Sequence, residues 1–260
     1  MLLAIDIGNT NIVIGLYRGQ DIVASWRISS DARRMADEYA ATLYSLFAQR
    51  GLSPKEVQAV AIASVVPPLI TTFQELCGRF FEREPFFVGP GVRTGVRVQF
   101  ENPKEVGPDR IANALATYRR YGGPAVVIDL GTATTFDAIS SEGDYVGGAI
   151  APGMGIAADA LFQRTARLPR IELMRPRSAI GRTTVAGMQS GIVFGYVGLI
   201  EGLVARFQRE LGSARVIATG GLAEVIAKET TVIEVVDQNL TLDGIRMIYE
   251  LNHKGVESGA

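Results

Sequence analysis

Two aspartate–glycine phrases, 123 positions apart, are the residues of this chain best suited to chemistry. Ala4-Ile5-Asp6-Ile7-Gly8-Asn9-Thr10 returns as Val127-Ile128-Asp129-Leu130-Gly131-Thr132-Ala133. In each, an apolar run ends in an aspartate, a glycine and small polar residues, and a second apolar run and a polar turn follow. That pattern predicts a strand, a tight glycine turn and a returning strand, made twice. Glycine admits close backbone approach, turn N–H groups can donate to phosphate oxygens, and a carboxylate can hold a hydrated cation. One copy is a common strand end; two copies in matching places point to phosphate binding. Facing each other across a cleft, the hairpins would grip a nucleoside triphosphate from both sides.

A second constellation, Gly107-Pro108-Asp109-Arg110, lies at a loop-to-helix junction. Asp109 there can satisfy free N–H groups of a first turn, and Pro108 fits that turn, so a purely structural role stays open. An acceptor beside a fork-shaped donor also suits a substrate bearing a hydroxyl and an anion, because a guanidinium binds carboxylate bidentately. Ala218-Thr219-Gly220-Gly221, ending a strand before a helix, is either a capping turn or a floor on which a flat base lies. Gly147-Gly148-Ala149-Ile150-Ala151-Pro152-Gly153 is either a tight bend or a place of close ligand approach. Thr183-Thr184 opens a long helix, with capping as the default role.

Scarcity narrows the chemistry. The chain has one histidine, His253, and one cysteine, Cys77. With that histidine in a polar tail, no zinc cluster, Ser-His-Asp triad or Cys-His pair is expected within one chain, and proton chemistry should rest mainly on carboxylates. A net charge of −1 over 260 residues offers no electrostatic reason for nucleic acid or an anionic membrane as partner. No secretory leader is expected, apolar runs are read as too short for a membrane span, and a lone cysteine suits a reducing cytosol.

The elements that must carry these residues follow from periodicity. Strands are expected at Leu2–Asp6, Ile12–Tyr17, Ile22–Ile28, Val57–Val65 and Phe86–Val88, with helices over Asp37–Arg50, over Leu69–Phe81 and after Pro108. The second half opens with a strand at Ala125–Asp129. A long helix from Thr184 to Leu211, a strand at Arg215–Thr219, a helix at Leu222–Ala227, a strand at Val232–Val236 and a helix at Leu242–Leu251 complete it. Strands alternating with helices mean α/β with mixed sheets covered by helices. Domains are expected at 1–115 and 116–251, with 252–260 as a polar tail. In the long helix Gly191, Gly195, Gly198 and Gly202 each cost about 1 kcal/mol relative to Ala, so close packing against something must compensate.

Taken together, Asp6-Ile7-Gly8-Asn9-Thr10, Ala63–Pro67, Asn102–Arg110, Asp129–Thr135, Gly147–Gly153, Ala218–Gly221 and Leu240–Gly244 resemble, in kind and order, the motifs of type III pantothenate kinases. The resemblance covers residues 1 to about 251. It implies the duplicated actin-like (ribonuclease H-like) ATPase fold, with two mixed-sheet domains and a nucleotide cleft between them. It implies transfer of the γ-phosphate of ATP to pantothenate, the first step of coenzyme A synthesis. Magnesium, a monovalent cation (potassium or ammonium), a cytoplasmic location and a homodimer are implied with it. Carried over by position, Asp6, Ile7, Gly8, Asn9, Thr10, Asn11, Ile12 and Val13 form the first phosphate hairpin. Thr132 belongs to the second, Gly220 and Gly221 to the nucleotide site. Asp129 matches the cation ligand and Asp109 the catalytic base. Phe100, Gly107, Pro108, Asp109, Arg110 and Thr184 match substrate contacts. Two departures stand out: Phe100 replaces the usual tyrosine, and Pro108 the usual alanine. A kinase for another hydroxy acid and a non-enzymatic nucleotide-switched module are the alternatives.

Overall fold

Short apolar runs, buried on both faces at the centre, build two sheets of five strands each. The computed structural model describes residues 1–253, and these group into two units. One comprises Met1–Val96, Glu101–Ala116 and the chain from Leu240; the other comprises Arg97–Phe100 and Thr117–Asn239.

In the first unit β1 (Leu2–Ile7), β2 (Asn11–Arg18), β3 (Asp21–Ser29), β4 (Ala59–Ser64) and β5 (Phe86–Phe87) lie in the order β3-β2-β1-β4-β5. β1 runs antiparallel to β2 and parallel to β4. Leu3, Ile5 and Ile7 face α1 (Ala36–Gln49) and α2 (Pro67–Leu76), where Tyr39, Leu43, Phe47, Leu69 and Phe73 close the core. Glu38 fastens the start of α1 by accepting from the Met35 N–H at 2.9 Å. Ala4, and Asp6 two residues on, belong to the opposite face, covered by α3 (Pro108–Tyr121) and α7 (Leu240–His253) through Ala112, Leu115, Leu242, Ile245 and Ile248.

The second unit repeats the plan. β6 (Ala125–Leu130), β7 (Ala133–Ile139), β8 (Tyr145–Pro152), β9 (Arg215–Thr219) and β10 (Val235–Val236) lie in the order β10-β9-β6-β7-β8. β6 again pairs antiparallel with the next strand and parallel with the crossover strand. Val126, Ile128 and Leu130 face α4 (Met154–Arg164), α5 (Thr184–Leu211) and α6 (Ala223–Ala227).

Several expectations are corrected. α7 packs with the first unit although the sequence reading assigns 116–251 to the second, because its apolar stripe meets the small residues Ala4, Ala61 and Ala63. Asn252 and His253 finish α7 rather than opening a tail, and residues 254–260 lie outside the described ones. Residues 147–152 are strand β8, and Gly153 is the N-cap of α4, a helix absent from the expected elements. β10 keeps only two of the five residues expected. The helix from Pro67 widens into a π-turn at Cys77–Phe81. α5 also has the length and hydropathy of a membrane span, which the sequence reading did not allow. Met188, Ile192, Val193, Ile200 and Val204 nonetheless lie buried in this unit, as in a core helix.

Candidate active site

The first hairpin places Asp6 opposite Val13 and Ile7 opposite Ile12. Its turn closes through the Gly8 N–H, which donates to the Asn11 carbonyl at 3.0 Å. A second bond, from the Ser30 N–H to the Thr10 carbonyl at 2.9 Å, ties the tip to the end of β3. Asn9, Thr10 and Asn11 are exposed, so the tip presents its backbone to a ligand.

The same unit brings Asp109 beside this hairpin. The Val65 N–H donates to the Ile7 carbonyl at 3.1 Å, extending the β1–β4 ladder one residue. A Cβ built on Gly107 would stand 3.6 Å from Val65 and 2.3 Å from Asp109 Oδ1. The Asp109 carboxylate thus folds back over Gly107, and a side chain at 107 would displace it. Pro108 begins α3, and Asp109 and Arg110 fill its first turn. Asp109 Oδ1 is buried and has no hydrogen-bond partner among the described residues. Burial pushes this carboxyl above its ordinary value, against the opposing pull of the Arg110 backbone N–H and guanidinium. An oxygen used merely for capping would be satisfied by the helix.

In the second unit Asp129 pairs with Thr135 on β7 and with Thr219 on β9. Its Oδ1 lies where a Cβ on Gly220 would come within 2.6 Å and one on Gly131 within 3.1 Å. Gly220 adopts φ +93, a left-handed conformation that glycine tolerates. Gly153 approaches the hairpin tip from beneath: its Cβ would sit 2.0 Å from the Thr132 carbonyl oxygen. Three glycines therefore crowd around the turn that carries Thr132, itself exposed like Gly221. The sequence reading identified Gly131 and Gly220 but left the role of Gly153 open. Its only signal was a glycine directly after Pro152.

Among the described residues no group of three or more His, Cys, Asp and Glu side chains converges. A cation at Asp129 would complete its shell from carbonyls, water and phosphate oxygens, as a nucleotide-borne ion does.

Phe100 and Thr184 belong to the second unit, whereas Gly107–Arg110 belong to the first. Phe100 ends a short segment joined to β8: the Gln99 N–H donates to the Tyr145 carbonyl at 2.8 Å, and the Tyr145 N–H to the Arg97 carbonyl at 2.9 Å. At the start of α5, Thr183 is the cap, its Oγ1 accepting from the Ala186 N–H at 3.1 Å. Thr184 is exposed at the first helical position. Sequence reasoning overlooked Tyr145 and the buried Asp137, although a charge inside the apolar run Phe136–Ile139 was a visible anomaly.

Comparison with known proteins follows the same lines. The type III pantothenate kinase of Moorella thermoacetica is 54% identical over 253 residues, 97% of this chain and 100% of its own. That of Roseiflexus sp. is also 54% identical over 253 residues, 97% of this chain and 99% of its own. Among solved structures, a Campylobacter jejuni chain described as a Baf family transcriptional activator matches with TM-score 0.59 at 20% identity, over 97% and 99% of the two chains. An inorganic polyphosphate/ATP-glucomannokinase from Arthrobacter matches at 0.54 and 16%, over 97% and 99%. At such identities these structures speak for the fold, a duplicated sugar-kinase and ATPase architecture. The family model for type III pantothenate kinase matches residues 2–206, and on that match and the relatives together the chain belongs to the type III pantothenate kinase family.

Proposed function

We propose that this chain transfers the γ-phosphoryl group of ATP to the hydroxyl of pantothenate, with Asp109 as the base. The observation that carries this reading is the Asp109 Oδ1 atom, buried and without a donor at the start of α3. A substrate hydroxyl supplies the missing donor. The raised carboxyl is a better base than an ordinary aspartate, and phosphoryl transfer is loose enough that the proton leaves late. Asp109 orients the hydroxyl and accepts its proton as the new P–O bond forms. Arg110 offers its guanidinium to the pantothenate carboxylate. Asp6–Val13 and the Thr132 turn offer backbone N–H groups to the phosphates, and Gly220–Gly221 leave room for the base. Mg²⁺ and a monovalent cation, K⁺ or NH₄⁺, would neutralise phosphate charge, with Asp129 as protein ligand.

A coupled ADP-release assay over a panel of hydroxy acids tests the substrate. Turnover with pantothenate well above the rest is expected. Equal turnover with another hydroxy acid would give the chain to that substrate, and nucleotide binding without any phosphorylated product would make it a switch.

The cation has its own test. Little activity is expected in sodium-only buffer with magnesium present, and recovery on adding potassium or ammonium at fixed ionic strength. Asp129→Asn should blunt that recovery, because an amide oxygen is a weaker cation ligand than a carboxylate. Equal initial rates in all monovalent salts would remove Asp129 from this role.

The working form proposed is a cytoplasmic homodimer built on α5. A Cβ on Gly191, Gly195 or Gly198 would meet nothing within 4 Å among the described residues. Each glycine costs about 1 kcal/mol in a helix, and close packing against a second copy would supply the compensation. The spacings of four, three and four along Gly191, Gly195, Gly198 and Gly202 read the same in both directions. About a two-fold axis pairing antiparallel copies, that spacing would set the glycines of one helix opposite those of the other. Light scattering should give twice 27.9 kDa for the native chain. Gly195→Leu should give a monomer, and a monomeric native chain would rule this out.

A further inference from the structure

We infer that the buried Tyr145–Asp137 hydrogen bond is a positioning device that holds Phe100 in place for the substrate. This rests on the reading of Phe100 as a pantothenate contact. Asp137 lies in the middle of β7, opposite Val127 on β6 and Gly148 on β8, and is fully buried. Taking a carboxylate out of water costs several kcal/mol even when it is paired. An apolar residue would serve the sheet as well, so the carboxylate calls for a reason other than folding.

Its hydrogen bond to Tyr145 gives one. The Tyr145 hydroxyl, equally buried, donates to Asp137 Oδ1 at 3.0 Å. That bond fixes the plane of the Tyr145 ring. The Phe100 ring leans on it with centroids 6.3 Å apart and planes at 60°. Tyr145 also holds the backbone on either side of Val98, through its N–H to Arg97 and its carbonyl to Gln99. At the rim the Gln99 amide donates to Asp144 Oδ2 at 2.6 Å. Four residues, Arg97–Phe100, are thereby held on the second unit while the chain before and after them belongs to the first. Phe100 remains 37% exposed, so a ring oriented from behind still presents a face to a ligand. Where the phenol common in the family is missing at position 100, recognition depends on the placement of that face.

A double-mutant cycle in steady-state kinetics tests the inference. Phe100→Ala should raise KM for pantothenate at least tenfold. Tyr145→Phe keeps the ring and the backbone bonds and removes the hydroxyl alone. It should raise KM for pantothenate about fivefold, with KM for ATP and kcat within twofold. In the Phe100→Ala background Tyr145→Phe should add less than twofold, because it acts through the ring already removed. A Tyr145→Phe effect that multiplies in full with Phe100→Ala, or that changes both KM values alike, would reduce Tyr145 to a structural role. An unchanged KM in Phe100→Ala alone would instead overturn the reading of Phe100, and this inference with it. Should Tyr145→Phe fail to fold, Gln99→Ala at the exposed rim should raise KM for pantothenate two- to threefold. No change there would overturn the inference by itself.

Discussion

Asp109→Asn is expected to lower kcat by ~10²–10⁴-fold while raising the melting temperature. The first effect follows from losing the acceptor for the substrate proton. The second follows from linkage. The folded carboxyl is raised above its unfolded value by burial. Its contribution to stability is therefore present below the unfolded pKa and lost as pH rises through the folded one. At neutral pH the ionised side chain opposes folding, and the neutral amide relieves that penalty. The acid limb of kcat/KM in the native enzyme should accordingly lie above the ordinary aspartate range. Paired calorimetry and initial rates decide the matter. A fall in stability with turnover preserved would return Asp109 to the role of helix cap.

Gly153→Ala is expected to lower kcat/KM for ATP by ~10²-fold or more, whereas Gly8→Ala should cost only a few-fold. The contrast is geometric. The added methyl at Gly153 would sit 2.0 Å from the Thr132 carbonyl oxygen and 2.8 Å from that of Gly131. Those are backbone atoms, so the second hairpin tip itself must move. At Gly8 the nearest atom is the Asn11 carbonyl oxygen at 3.1 Å, which a few tenths of an ångström relieves. Titration with a fluorescent ATP analogue, alongside circular dichroism of each variant, separates loss of nucleotide binding from loss of folding. Equal effects at both glycines would show that crowding beneath the second turn has no part in nucleotide binding.

The parts legible in the sequence were those that depend on neighbours along the chain. The hairpins β1–β2 and β6–β7 could be read because alternation, glycine and turn residues act within about ten positions. α5 was found at its observed bounds, Thr184–Leu211, because its apolar stripe runs unbroken for 28 residues. α4 was missed because Ile156, Leu161 and Phe162 are exposed, so the stripe that marks a buried helix face is blurred.

By itself the sequence determined the chemistry available: carboxylates with one histidine and one cysteine, and two glycine-turned hairpins in equivalent positions. It could not say which acid lacks a partner. Asp109, Asp129 and Asp137 look alike as letters, and their differences arise from groups distant in the chain. Gly107 lies against the first, Gly220 against the second, and the third receives the Tyr145 hydroxyl. The assignment of α7 to the first sheet was decided the same way, since an amphipathic stripe specifies that a face is buried and leaves its partner open. Burial, desolvation and steric exclusion act through space. Only the tertiary structure could decide them.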